Sequence, residues 1–180
     1  MNGRPEPHRI LFVCTANICR SPAAEGLARM RFGEREALFR SAGFLEPGRE
    51  CPPPLLQTLE EWGVDAAGHR SYRLDPASLQ AADLVLTMEG EHVQRATLLH
   101  HDAFRKILPL KEAAERLARR RTGPAVLADF LAEVNSDRDP ASYLSGRWDV
   151  ADPYGRKLKD YRTAVDEIAA LVGDVIPRLS

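Results

Sequence analysis

Apolar and polar residues alternate along this chain in blocks that predict strands and helices in turn. The run Arg9-Ile-Leu-Phe-Val13 is short and apolar enough for a strand buried on both faces. Ser21 followed by Pro22-Ala-Ala-Glu25 predicts a helix start, with Ser21 at the N-cap and proline at the first helical position. A second strand is expected over Ala37 to Ser41, ending at Gly43. Pro52 to Trp62 places Leu55, Leu56, Leu59 and Trp62 on one side of a helix that Gly63 closes. Asp83 to Met88 predicts another buried strand, followed by a helix through about Leu99 and a strand over Lys106 to Leu110.

Beyond Lys111 the pattern turns helical to Val134, with Gly123-Pro124 expected to break it in two as an added helical arm. Asn135 to Gly146 is rich in Ser, Asp, Pro and Gly and predicts a surface loop; a last amphipathic helix spans Leu158 to Val172. Strand and helix in alternation imply a single α/β domain over 1–180: a parallel sheet covered on both sides, with right-handed crossovers and the functional crevice at the carboxyl ends of the strands. No repeat, low-complexity tract or linker interrupts it. An extra helical insertion is expected around 112–146.

Composition narrows the function classes. With 25 basic and 26 acidic residues among 180, the net charge is −1, so no global field draws the chain to nucleic acid or an anionic membrane. Met1 to His8 is polar, and Ile10 to Val13 is far too short for a signal peptide or a membrane span, so a cytoplasmic location is expected. Three cysteines, two of them five positions apart, do not make a secreted disulfide framework and suggest chemistry instead.

That chemistry concentrates in Cys14-Thr-Ala-Asn-Ile-Cys-Arg20-Ser21-Pro22, where a cysteine and an arginine stand six positions apart between a buried strand and a helix start. Backbone N–H groups of a curled loop from Thr15 through Ala16, Asn17, Ile18, Cys19 and Arg20 to Ser21, with the positive end of the helix dipole, form a cradle for a phosphate dianion. Arg20 adds a planar fork to two phosphate oxygens. The same positive surroundings favour the thiolate of Cys14, which is the attacking form. Ser21 is placed to donate a hydrogen bond to that thiolate and to stabilise it again as a leaving group.

Expelling an alkoxide or phenolate from phosphorus also needs a proton donor. Asp152 is the candidate, because Asp149-Val-Ala-Asp-Pro-Tyr-Gly155 predicts a tight loop just before the last helix, with Tyr154 as an aromatic pocket wall. One carboxyl serves both half-reactions, first as acid to the leaving oxygen and then as base to the attacking water.

Val13-Cys-Thr-Ala-Asn-Ile-Cys-Arg-Ser-Pro22 together with Asp152-Pro-Tyr154 resembles the low-molecular-weight protein tyrosine phosphatases, bacterial type. Ser41-Ala-Gly43, Gly63-Val-Asp65, His69-Arg-Ser71 and Ala82 to Met88 follow in the family's order. The resemblance implies a three-layer fold on a four-stranded parallel sheet and a two-step mechanism with no metal or cofactor. It makes Cys14 the nucleophile, Arg20 the transition-state clamp and Asp152 the acid, acting on a phosphorylated protein. It further implies that Asn17, Ser41 and His69 hydrogen-bond to one another beneath the loop and hold its shape. Monomers or weak dimers are expected.

Alternatives stand beside this reading. A protein arginine phosphatase on the same scaffold is the nearest, although arginine-specific relatives carry threonine where this chain has Ile18. A thiol-dependent arsenate reductase would need two well-placed downstream thiols, and only Cys51 lies beyond the loop. Cys19 either fills the loop as a small apolar residue or forms a reversible disulfide with Cys14. Cys51 reads as a bystander, His100-His101 as a solvated helix end, and Arg119 to Arg121 as a solvated face.

Overall fold

In the computed structural model, which describes residues 7–33, 37–120 and 126–179, four parallel strands form one sheet in the order β2-β1-β3-β4. They are β1 (His8–Cys14), β2 (Ala37–Gly43), β3 (Leu84–Thr87) and β4 (Ile107–Pro109). The helices are α1 (Arg20–Phe32), α2 (Pro53–Glu61), α3 (Pro76–Ala81), α4 (Gly90–Leu99), α5 (Leu110–Arg119), α6 (Leu127–Ser136) and α7 (Leu158–Val175). The expected three-layer α/β arrangement on a four-stranded parallel sheet is therefore present. No helix among the described residues is long and apolar enough to cross a membrane.

The two central strands explain the apolar runs. In β3 every residue is buried, and Ile10 to Cys14 of β1 are likewise covered on both faces. On one face Ile10, Phe12 and Phe39 pack against Leu27 of α1, Leu117 of α5 and Ile168 and Val172 of α7. The Phe12 and Phe39 rings stack there at 6.3 Å. Burying two such rings contributes about 1.5–3 kcal/mol each, enough to fix the β1–β2 register from that face alone. The other face carries Leu11, Val13, Ala42 and Val85 against Leu79 and Val93.

Several boundaries differ from the sequence expectation. Helix α1 begins at Arg20, with Cys19 at its N-cap and no side-chain cap, because the Ser21 hydroxyl is engaged with Cys14 and Asn17 instead. Leu55 and Leu59 of α2 are buried, but Trp62 sits past the helix end at 39% exposure. Helix α3 was not expected, since six residues are too few to show a 3.6-residue period; its signal was the start alone, Asp75 as N-cap before Pro76.

The region 112–146 is helical, yet it does not stand off as an arm. Ala113 and Leu117 of α5 and Leu127, Phe130 and Val134 of α6 join the main core. The expected break at Gly123-Pro124 lies outside the described residues. Within the expected surface loop, a helical turn spans Pro140–Leu144, and Tyr143 is buried against the start of α4. A Cβ on Gly90 would lie 2.1 Å from the Tyr143 carbonyl oxygen, so only glycine fits that approach. Arg138 bridges this turn to the sheet, donating to the carbonyls of Phe104 and Ile107 and to the Tyr143 hydroxyl.

Candidate active site

Cys14 closes β1 and Arg20 opens α1, so the five residues between them must reverse the chain at the carboxyl edge of the sheet. Asn17 makes the turn in the left-handed region, with φ of +53°, which asparagine tolerates better than other non-glycine residues. Its N–H points inward at Cys14 Sγ, 3.3 Å away. Ser21 Oγ lies 3.0 Å from the same sulfur. Ser21 Oγ also accepts from Asn17 Nδ2 at 2.9 Å and sits 3.3 Å from the Ala42 carbonyl oxygen. Its single proton can therefore turn from that carbonyl to a thiolate without moving the oxygen.

Asn17, Ser41 and His69 meet beneath the loop, with Asn17 as the hub. Asn17 Nδ2 donates to Ser41 Oγ at 2.9 Å, and His69 Nε2 donates to the Asn17 carbonyl at 2.8 Å. Tyr72 N–H donates to Asn17 Oδ1 at 2.8 Å. Among the described residues no bond joins Ser41 directly to His69; both act through Asn17. Ser41 Oγ in turn donates to Glu25 Oε2 at 2.5 Å. Gly43 makes room for this packing, because a Cβ there would lie 2.6 Å from the Asn17 nitrogen.

Arg20 is 2% exposed; both of its terminal nitrogens are engaged, while its buried Nε has no hydrogen-bond partner among the described residues. Its Nη1 donates to Glu89 Oε1 and, at 2.9 Å, to the Val150 carbonyl. Its Nη2 donates to Asp152 Oδ2 at 2.7 Å and to Thr15 Oγ1 at 3.3 Å. Burial opposes its charge, but Cys14, Asp152 and Glu89 more than offset this and raise its pKa above the ordinary guanidinium value. Asp152 reaches the site because Val150 N–H donates to the Met88 carbonyl at the end of β3, at 2.8 Å. Asp152 Oδ1 also accepts from Tyr154 N–H at 3.1 Å, fixing the turn. Tyr154 is 54% exposed; Arg49 lies over its ring at 5.6 Å and donates to its hydroxyl at 3.2 Å.

The remaining loop residues fall as follows. Thr15 and Ala16 are half-buried at the mouth, while Ile18 and Cys19 are 3% exposed and belong to the core. All three cysteines are free thiols. Burial, then Asp152 and Cys14, push the Cys19 thiol up, and burial with Cys14 pushes Cys51 up to about 12. Both therefore stay protonated near neutral pH. Arg119 and Arg120 pair with Glu115 and Glu133. Arg121 lies outside the described residues.

Sequence reasoning missed Glu89 and His92. His92 is fully buried, with Nε2 3.0 Å from Thr15 Oγ1 and 3.7 Å from Glu89 Oε2. Phe44 packs on its ring at 5.4 Å, and Arg95 lies over Phe44 at 4.2 Å. Burial, then Arg20 and Arg95, lower its pKa to about 3, so it is neutral across the physiological range. The available signal was position: Glu89-Gly-Glu-His92 follows a buried strand at the edge where a parallel sheet places its site.

A thiol approached by a backbone N–H and a hydroxyl, with a buried arginine and a carboxylate alongside, suits transfer of a phosphoryl group through sulfur. Comparison with known proteins agrees. The profile of the family "Low molecular weight phosphotyrosine protein phosphatase" matches residues 9–123. The protein-arginine-phosphatase of Bacillus subtilis (strain 168) is 31% identical over 175 residues, covering 94% of this chain and 95% of that one. Among solved structures, the YwlE arginine phosphatase from Geobacillus stearothermophilus is 30% identical with a TM-score of 0.71, covering 94% of this chain and 91% of the other. The low molecular weight protein tyrosine phosphatase from T. tengcongensis is 28% identical with a TM-score of 0.73, covering 96% and 99%. The chain is thus a phosphatase that belongs to the low molecular weight phosphotyrosine protein phosphatase family.

Proposed function

We propose that this enzyme, acting as one phosphatase domain over 1–180, hydrolyses phosphotyrosine in cytoplasmic proteins through a cysteinyl phosphate on Cys14. The observation that carries the reading is the pairing of Arg20 with Asp152 beside a sulfur that accepts from the Asn17 N–H and lies 3.0 Å from the Ser21 hydroxyl. In the first half-reaction the Cys14 thiolate attacks phosphorus, the P–O bond to the phenol breaks, and Asp152 gives its proton to the departing oxygen. In the second, the Asp152 carboxylate takes a proton from water, the resulting hydroxide attacks phosphorus, and the P–S bond breaks. Ser21 then steadies the released thiolate.

Arg20 supplies the fork for the equatorial oxygens, with the loop N–H groups from Thr15 to Ser21 as the rest of the cradle. Glu89 and the Val150 carbonyl hold one side of the guanidinium, leaving the Nη2 side, now on Asp152 and Thr15, to turn towards phosphate. Asn17, Ser41 and His69 keep the loop in its left-handed turn, and Tyr154 forms one wall of the entrance.

Ile18 supports the choice of phosphotyrosine from within the loop wall: the residue is 3% exposed, and an apolar group there favours an aromatic ester over a guanidinium. The second reading, a phosphoarginine substrate, draws on the 31% identity to an arginine phosphatase. Matched phosphotyrosine and phosphoarginine peptides separate the two by kcat/KM. We expect the tyrosine peptide to be preferred, and Ile18→Thr to shift the ratio towards arginine. A wild-type preference for phosphoarginine would overturn the substrate assignment.

A further inference from the structure

The register of the sheet edge leaves an unused face behind the catalytic loop. Arg9 pairs with Leu38 and Leu11 with Arg40, so these four side chains share one face of β1 and β2. Helix α1 packs on the opposite face. On this one, the only helix between β2 and β3 that packs there is α3, and its six residues set Leu79 against the cluster of Leu11, Val13, Ala42 and Val85. That is too short to cover the edge strand as well. What remains is a cleft of about 550 Å³ around the β2 edge, floored on this face by Leu11 and Leu38, flanked by Ala81 and Ala82, and reaching Ser41 and Glu25 on the α1 side, a size typical of small-molecule sites.

Its charge is one-sided. Arg40 and Arg70 line it, and among the described residues the lining carboxylate is Glu25. Glu25 is already engaged, by Arg29 at 2.9 Å and by Ser41 at 2.5 Å. Arg70 pairs with Glu50, both more than half exposed, so water screens that pair; Arg70 Nη1 also donates to the His69 carbonyl at 2.7 Å and Arg40 Nη1 to the Phe39 carbonyl at 2.9 Å, which leaves each guanidinium further N–H groups for an anion. An apolar floor rimmed by guanidinium groups selects a small organic anion with an apolar body.

The far end of the cleft is the underside of the catalytic loop. Ser41 and His69 line it, and these are the two residues that hold Asn17 through its side-chain amide and its carbonyl. We propose that this cleft binds an aromatic carboxylate or sulfonate, and that occupancy is transmitted to the loop through Ser41 and His69, changing turnover without competing for phosphate. The second half of this proposal rests on the phosphatase reading above.

Calorimetry of the whole protein with anilinonaphthalene sulfonate tests binding, with neutral phenylnaphthylamine as the charge control. One site per chain is expected, retained under saturating inorganic phosphate, weakened roughly tenfold by Arg40→Glu and by loss of the sulfonate. Leu38→Asp should weaken it as well. Displacement of the probe by phosphate, or equal affinity in Arg40→Glu, would overturn the site. Turnover of p-nitrophenyl phosphate then tests coupling: kcat should change with probe occupancy while KM stays constant. Binding with no change in kcat would overturn the coupling, whereas absence of turnover in the probe-free enzyme would sink the phosphatase reading and leave the binding result standing.

Discussion

The carboxylate of Asp152 lies 2.7 Å from Nη2 of Arg20, so in this state the proposed acid occupies part of the guanidinium that phosphate would use. On the proposed mechanism, substrate and Asp152 would compete for Arg20, and the acid would be released towards the leaving group when phosphate takes its place.

This competition predicts opposite effects on binding and chemistry. Asp152→Asn should lower kcat by about 10²–10⁴, the usual cost of losing a general acid. It should also tighten binding of inorganic phosphate a few-fold. The gain is small because the Asp152 side chain is 44% exposed, and such pairs contribute about 1 kcal/mol or less. Calorimetric titration with phosphate checks this; unchanged or weaker binding would show that the pair does not oppose the ligand.

Glu89 acts on the other side of the same guanidinium. Glu89→Gln removes a charged partner from a buried arginine, a loss of about 1.5–3 kcal/mol in a charge-assisted hydrogen bond. With Val150 still accepting from Nη1, the arginine stays in place but loses its aim. We expect kcat/KM to fall roughly ten- to a hundredfold, mostly in kcat, with a modest drop in melting temperature. Loss of stability with unchanged kcat would assign Glu89 a purely structural part.

His92 makes stability depend on pH. Its pKa falls from 6.5 to about 3 on folding, so between these values the unfolded chain binds a proton that the folded chain does not. Stability then declines as pH drops through that window, by something on the order of a few kcal/mol in all. Urea melts from pH 7 to pH 4 should show this decline in wild type and a shallower one in His92→Gln. An identical slope in both would mean that His92 titrates normally.

The legibility of this molecule in its sequence follows the range of its interactions. The loop from Cys14 to Ser21 was readable because its cysteine, its arginine and a helix start lie close together in the chain, each constrained by local geometry. Asp152 was readable through the Pro153 and Gly155 turn signals. Glu89 and His92 were not, because their contacts with Arg20 and Thr15 cross about 70 to 80 residues and exist only once β3 is aligned with β1. Ser21 shows the limit of local rules: as a serine before proline it looked like a helix cap, yet the thiol and Asn17 claim its hydroxyl first. Tyr143 and Arg138 likewise fold a polar stretch into structure through distant partners, the start of α4 for Tyr143 and Ile107 of β4 for Arg138.

The most direct test of the account is the turnover of a phosphotyrosine peptide by Cys14→Ser beside wild type. If the reaction runs through a thiolate and a cysteinyl phosphate, the serine variant should retain less than about a thousandth of wild-type kcat while still binding phosphate. Turnover by Cys14→Ser at the wild-type rate would contradict it.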